Sequence, residues 1–220
     1  MSTPSGFSDW PRLLRVACAL IRQVNAEQPI IDQWTLGGGT AMMLQIDHRD
    51  SHDIDVFFSD PQFLPHLDPE KHDFDFEIMP SGYHGDGISF LKLTFKDIGQ
   101  IDFIVGQPLT TLPARQSVIR GDVVSLETIP EIITKKVYHR GVRLVPRDIF
   151  DIAAASVQHA DAVIVELRHY REEVARTISA LDSSNPNFVN SAIAQLAIRE
   201  AFRPVAKTAY ETAREILRSV

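Results

Sequence analysis

A single cysteine, Cys18, stands in the whole chain. It excludes an internal disulfide and any metal centre built from cysteines. No run approaches the roughly 18 apolar residues that cross a bilayer as a helix. The first residues, MSTPSGFSDWPR, contain no basic segment leading into an apolar one, so no secretory leader is expected. These absences predict a soluble cytoplasmic protein with no membrane partner. There is no solenoid repeat and no low-complexity tract. Positive charge is in deficit: 22 Lys and Arg face 29 Asp and Glu, a net charge of -7. That balance argues against a surface coated for phosphate backbones. It leaves a local basic groove open, because most of the basic residues fall after position 114.

The chain has 220 residues, 44% of them hydrophobic, enough for one large domain or two small ones. Asp9 to Val24 has helical apolar spacing. Trp34 to Ile46, WTLGGGTAMMLQI, reads as a short strand, a glycine turn and a helix. DIDVFFSD, FDFEIMP, ISFLKLTF and QIDFIVG read as strands, bounded by Gly, Pro and Asp. From about Ile129 the texture is helical throughout, with Pro130, Pro146 and Pro186 where first-turn prolines belong. The expectation is an α+β fold: a small mixed sheet flanked by helices over residues 1–125, then a helical domain over 126–220.

Two segments nearly repeat each other: HDIDVFF from His52 and HDFDFEI from His72. Period-two alternation puts both acids of each pair on one strand face, and paired carboxylates suit a hard cation such as Mg²⁺. The glycine turn separates the two. Gly37-Gly38-Gly39-Thr40 lies between strand and helix, where glycine allows close backbone approach and a helix N-terminus offers free N–H groups to an anion. Asp53 follows Gly39 by fourteen positions, room for a helix of about ten residues and a return strand. Asp73 and Asp75 follow only polar loop and read as a solvent-facing strand edge. A third acid, Asp102, sits in an apolar strand between Ile101 and Phe103. At about 5 Å, each pair among Asp53, Asp55 and Asp102 would repel by about 3 kcal/mol at an effective dielectric near 20. Such a cluster is a divalent-metal cage.

GGGTAMMLQIDHRDSHDIDVFF resembles the signature of the AbiEii/AbiGii-type nucleotidyltransferases, within the DNA polymerase β-like superfamily. The pattern is a Gly-Gly or Gly-Ser turn, roughly a dozen residues, Asp-x-Asp, then an Asp on a neighbouring strand. It falls on Gly38 and Gly39, on Asp53 and Asp55, and on Asp102. A second family motif falls on KVYHRGVRLVPRDIFDIA, with Lys136, Arg140, Arg147, Asp148 and Asp151. Lys135 adjoins Lys136, and either fits the family's lysine position. Asp148 and Asp151 share a helix face, as do Lys136 and Arg140. Lys and Arg are residue types that bind triphosphate oxygens.

The resemblance implies transfer of a nucleoside monophosphate from an NTP to a hydroxyl acceptor, with release of pyrophosphate. Asp53, Asp55 and Asp102 would hold Mg²⁺ or Mn²⁺ ions. Gly38, Gly39 and Thr40 would hold the β and γ phosphates, with the Thr40 hydroxyl among the donors. Lys136 would neutralise the triphosphate, with Asp148 and Asp151 orienting it or contacting the nucleoside. It further implies a toxin acting on tRNA or other RNA, with a cognate antitoxin as partner. The alternatives are transfer to protein or small molecules, or nucleotide or partner binding without turnover. His48 and His52 are four apart and read as surface histidines rather than a zinc pair. Met42, Met43, Phe57 and Phe58 read as core, and the last helix, RPVAKTAYETAREILRSV, as a packed amphipathic one.

Overall fold

The computed structural model describes residues 9–220. Most of the amino-terminal stretch read for a leader lies outside them. The chain forms two compact units. The first comprises Met1–Ala41, Ser51–Pro108 and Arg115–Leu126, and the second Met42–Asp50, Leu109–Ala114 and Glu127–Val220. Among the described residues, no helix is long and apolar enough to cross a membrane.

The first unit is built on a mixed sheet of seven strands, β1 (Thr35–Gly37), β2 (Ile54–Phe58), β3 (Gly82–Gly85), β4 (Phe90–Phe95), β5 (Gly99–Val105), β6 (Ala114–Ile119) and β7 (Asp122–Glu127). Their spatial order is β3-β4-β5-β2-β1-β7-β6. β2 runs parallel to β5 and antiparallel to β1, while β4 is antiparallel to β5. Ile54, Val56 and Phe58 of β2 are buried, as are Ile101 and Phe103 of β5. Helix α1 (Trp10–Val24) packs against these two strands and buries Leu13, Leu14, Ala17, Leu20 and Ile21. Pro11 lies in its first turn, where a missing N–H costs nothing. The period-two alternation then forces Asp55 and Asp102 onto the sheet face away from the apolar one.

Helix α2 (Gly38–Ile46) follows β1 directly, as the glycine turn requires. Met42 and Met43 are core, and so is Phe58, whereas Phe57 is half-buried.

FDFEIMP forms no strand. Its backbone is satisfied by a side chain instead: Gln23 of α1 donates to the Asp75 carbonyl (2.9 Å) and accepts from the Asp75 N–H (2.8 Å). Arg12 and Arg15 hold Glu77. Asp73 and Asp75 are exposed, as expected, but on a coil. Three strands carry little sequence signal. β3 is exposed along its length. β6 and β7 meet at Arg120-Gly121, both with positive φ.

The second unit contains α3 (Ile129–Arg140), α4 (Pro146–Leu167), α5 (Arg171–Asp182), α6 (Pro186–Ile193) and α7 (Arg203–Arg218). Thr128 caps α3 by accepting from the Glu131 N–H. α4 is bent at His159, where φ is -129°. Ala153, Ala154 and Ala155 of α4 are buried, as are Ala209 and Ala213 of α7. These small residues let the two helices pack along each other. Leu217 is buried too, worth about 1.5–3 kcal/mol relative to exposure. The last helix is thus the packed amphipathic element its spacing indicates.

Candidate active site

One row of residues crosses four adjacent strands of the first unit. Gly37 of β1 pairs with Asp55 of β2, Asp55 with Asp102 of β5, and Asp102 with Lys92 of β4. The two acids therefore stand side by side on one face, each half-buried. Asp53 lies just before β2, and its Oδ1 accepts from the Gln100 N–H at 3.0 Å. Gly38 has φ of +65°, and a Cβ built on it would fall 1.9 Å from Asp55 Oδ2. The Asp55 carboxylate thus fills the space that glycine leaves at the start of α2. The first N–H groups of α2 have no partner within the helix, which makes this end receptive to anions.

Thr40 departs from its expected role. It is fully buried, and its hydroxyl donates to the Asp53 carbonyl. A hydroxyl has one proton, so Thr40 ties the turn to β2 here rather than offering a donor to phosphate.

Asp55 and Asp102 fit a divalent cation by chemistry and placement: hard oxygens, adjacent strands, one face. Asp53 adjoins them just before β2, with one oxygen turned to Gln100. Among the described residues, no three such ligands converge tightly enough to form a ready metal cage. Lys92 also lies against this face, its ammonium 3.1 Å from Asp102 Oδ1.

The second motif makes a separate ion cluster within the second unit. Lys136 reaches Asp148 and, at 3.1 Å, Asp151 Oδ2. Arg49 clasps Asp151 with two nitrogens, Nε at 2.7 Å and Nη2 at 2.8 Å. His48 Nε2 stands 2.9 Å from Asp151 Oδ1. Asp148, Asp151 and His48 have no exposed surface. Burial alone would raise the Asp151 pKa, but Lys136, Arg49 and His48 hold it well below the usual carboxylate range. Burial lowers the His48 pKa, outweighing the Asp151 hydrogen bond, and the charges of Arg49 and Lys136 push the same way.

His48 is therefore not a surface residue. It stacks on Phe150, with ring centroids 5.8 Å apart, and its Nε2–H donates a hydrogen bond to the Asp151 carboxylate. His52 is exposed, as expected. Neither His48 nor Arg49 figured among the expected site residues. The available signal was an arginine next to a motif carboxylate pattern, since a buried guanidinium needs an acid.

The two lysines part company here. Lys135 pairs with Glu127 and with Glu131 at 3.3 Å, so Lys136 is the one held by the motif acids. Arg140 and Arg147 are exposed and stand outside this cluster.

The family described as the nucleotidyl transferase AbiEii toxin of a type IV toxin–antitoxin system matches residues 19–216. The chain belongs to this family. It is accordingly a nucleotidyltransferase of the toxin type. Among solved structures it is similar to MenT4, the nucleotidyltransferase toxin Rv2826c from Mycobacterium tuberculosis H37Rv. The TM-score is 0.53 at 16% identity, covering 97% of this chain and 85% of that one. It is also similar to JHP933 from Helicobacter pylori, with TM-score 0.46 and 15% identity over 94% of this chain and 90% of that one. At such identities the likeness concerns the fold, a mixed sheet with helices. No functionally curated protein matches the chain in sequence.

Proposed function

We propose that this AbiEii-family protein transfers a nucleoside monophosphate from an NTP to a hydroxyl of tRNA or another RNA in the cytoplasm, as a toxin countered by a cognate antitoxin. The observation that carries this reading is the register of Asp55 with Asp102 beside the Gly38 turn. Mg²⁺ or Mn²⁺, held by Asp53, Asp55 and Asp102, would neutralise triphosphate charge and acidify the acceptor hydroxyl. The acceptor oxygen attacks the α-phosphorus, its bond to the bridging oxygen breaks, and pyrophosphate leaves. Asp102 would favour loss of the acceptor proton. Gly38 and Gly39 let the N–H groups of α2 approach the β and γ phosphates. Lys136, oriented by Asp148 and Asp151, supplies a cation for the triphosphate, and Arg140 and Arg147 add exposed positive charge in an otherwise acidic chain. In this scheme residues 1–125 carry the transfer chemistry and 126–220 the second motif.

The test is a transfer assay with each α-labelled NTP, Mg²⁺ or Mn²⁺, total RNA and total protein. Label on a small RNA, lost in Asp53→Ala with the fold intact, is expected. Label confined to protein would replace RNA as the acceptor. Full activity of Asp53→Ala would overturn the assignment of the acids.

A further inference from the structure

Lys92 continues the cross-strand row between Asp102 of β5 and His84 of β3 and has no part in the transfer chemistry above. Its Cα pairs with that of Asp102 across β4 and β5, and Asp102 pairs with Asp55 across β5 and β2. The ammonium lies 3.1 Å from Asp102 Oδ1 and 3.2 Å from Oδ2, and donates to Gln100 Oε1 at 2.8 Å. It straddles both oxygens of the carboxylate. The Lys92 side chain is 34% exposed and that of Asp102 18%, so the pair is at the edge of solvent, not sealed in the core. A lysine is a compact charge on a flexible stem, and an exposed one can leave its partner without abandoning a buried charge.

We propose that Lys92 is a resident counter-ion of the acidic face and sets its affinity for the divalent cation. The ammonium neutralises Asp102 when no metal is bound. A cation entering beside Asp55 and Asp102 displaces it, and Lys92 swings toward solvent. Every metal-binding event then includes the cost of breaking the Lys92–Asp102 pair. The Gln100 side-chain oxygen provides the second anchor that keeps Lys92 in place until then. This inference rests on the nucleotidyltransferase reading of the acids.

Mn²⁺ titration followed by electron paramagnetic resonance, without nucleotide, measures the effect directly. Lys92→Met removes the competitor and is expected to bind Mn²⁺ about tenfold more tightly, which corresponds to about 1.4 kcal/mol. Lys92→Arg keeps the charge and should stay closer to the parent protein than to Lys92→Met. Thermal melts in EDTA and in Mn²⁺ confirm folding, with a larger Mn²⁺-induced rise in Tm for Lys92→Met. Unchanged or weaker Mn²⁺ affinity in Lys92→Met overturns the inference, as does equal tightening in Lys92→Arg. Asp55→Asn separates the two levels. If it binds Mn²⁺ as the parent does, the metal reading of this face fails. If it loses Mn²⁺ while Lys92→Met behaves as the parent, only the role of Lys92 fails.

Discussion

The acids of the first unit and those of the second meet their charge in opposite ways. Asp53, Asp55 and Asp102 are half-buried at the sheet, and the positive group lying against Asp102 is a partly exposed lysine. Asp148 and Asp151 are wholly buried, and Lys136 and Arg49 meet them inside the protein with two cations for two carboxylates. The first group can take up a cation from outside. The second is already neutral, and losing any member leaves a buried charge without its partner, which costs far more than the pair was worth. Transfer should therefore be the property most sensitive at the sheet and stability the one most sensitive in the helices, with Lys136 answering to both.

The widest separation is expected between Asp55→Asn and Asp151→Ala. Asp55→Asn should lower nucleotide transfer by about a thousandfold or more, about 4 kcal/mol in the barrier. Its stability in urea melts should stay within about 1 kcal/mol of the parent, because asparagine keeps the shape of a side chain that is only half-buried. Asp151→Ala takes from Arg49 its buried carboxylate and from Lys136 one of its two and should destabilise by about 3–5 kcal/mol, read in the same urea melts. Equal stability of the two variants would break the contrast. Gly38→Ala comes next and touches both properties. Its φ of +65° costs an L-residue roughly 1–2 kcal/mol, and the new Cβ collides with Asp55 Oδ2. Transfer should fall by more than that stability loss explains, because the carboxylate must move.

The smallest effect is a pH dependence to which the buried cluster contributes. His48 titrates below its ordinary value of 6.5 in the folded protein. The unfolded chain therefore binds more protons just below pH 6.5, and stability is complete above that point and declines as pH falls below it. Asp151, depressed below its ordinary 3.8, adds a second loss as pH drops further. Tm measured from pH 8 to 2 should fall in these two stages, and His48→Gln should shrink the first, leaving the part due to His139, which burial also holds below 6.5.

Much of the architecture is written locally. The strand–turn–helix from Thr35 to Ile46 follows from three glycines before an apolar helix, and β2, β4 and β5 from apolar alternation. FDFEIMP alternates as well as β2 does, yet Gln23 of α1 claims its backbone. Alternation says which side chains share a face but not whether a neighbouring strand is present. β6 and β7 depend on the reverse: their neighbours in the sheet make them strands despite weak patterns. His48 was illegible for a related reason. Its burial depends on Asp151, 103 positions away, and nothing near it in the chain foretells that partner.

The sequence by itself determined the acid pairs, the glycine turn, the motif lysine's neighbourhood and the change from strands to helices, because spacing along a chain fixes which residues share a face. The tertiary structure decided which groups answer those charges: Lys92 against Asp102, Arg49 and His48 against Asp151, and Lys136 rather than Lys135 against the motif acids. A charge is recognisable in isolation, but its partner is whichever group the fold brings within a few ångströms, and Coulomb energy depends on that distance and on the water left between.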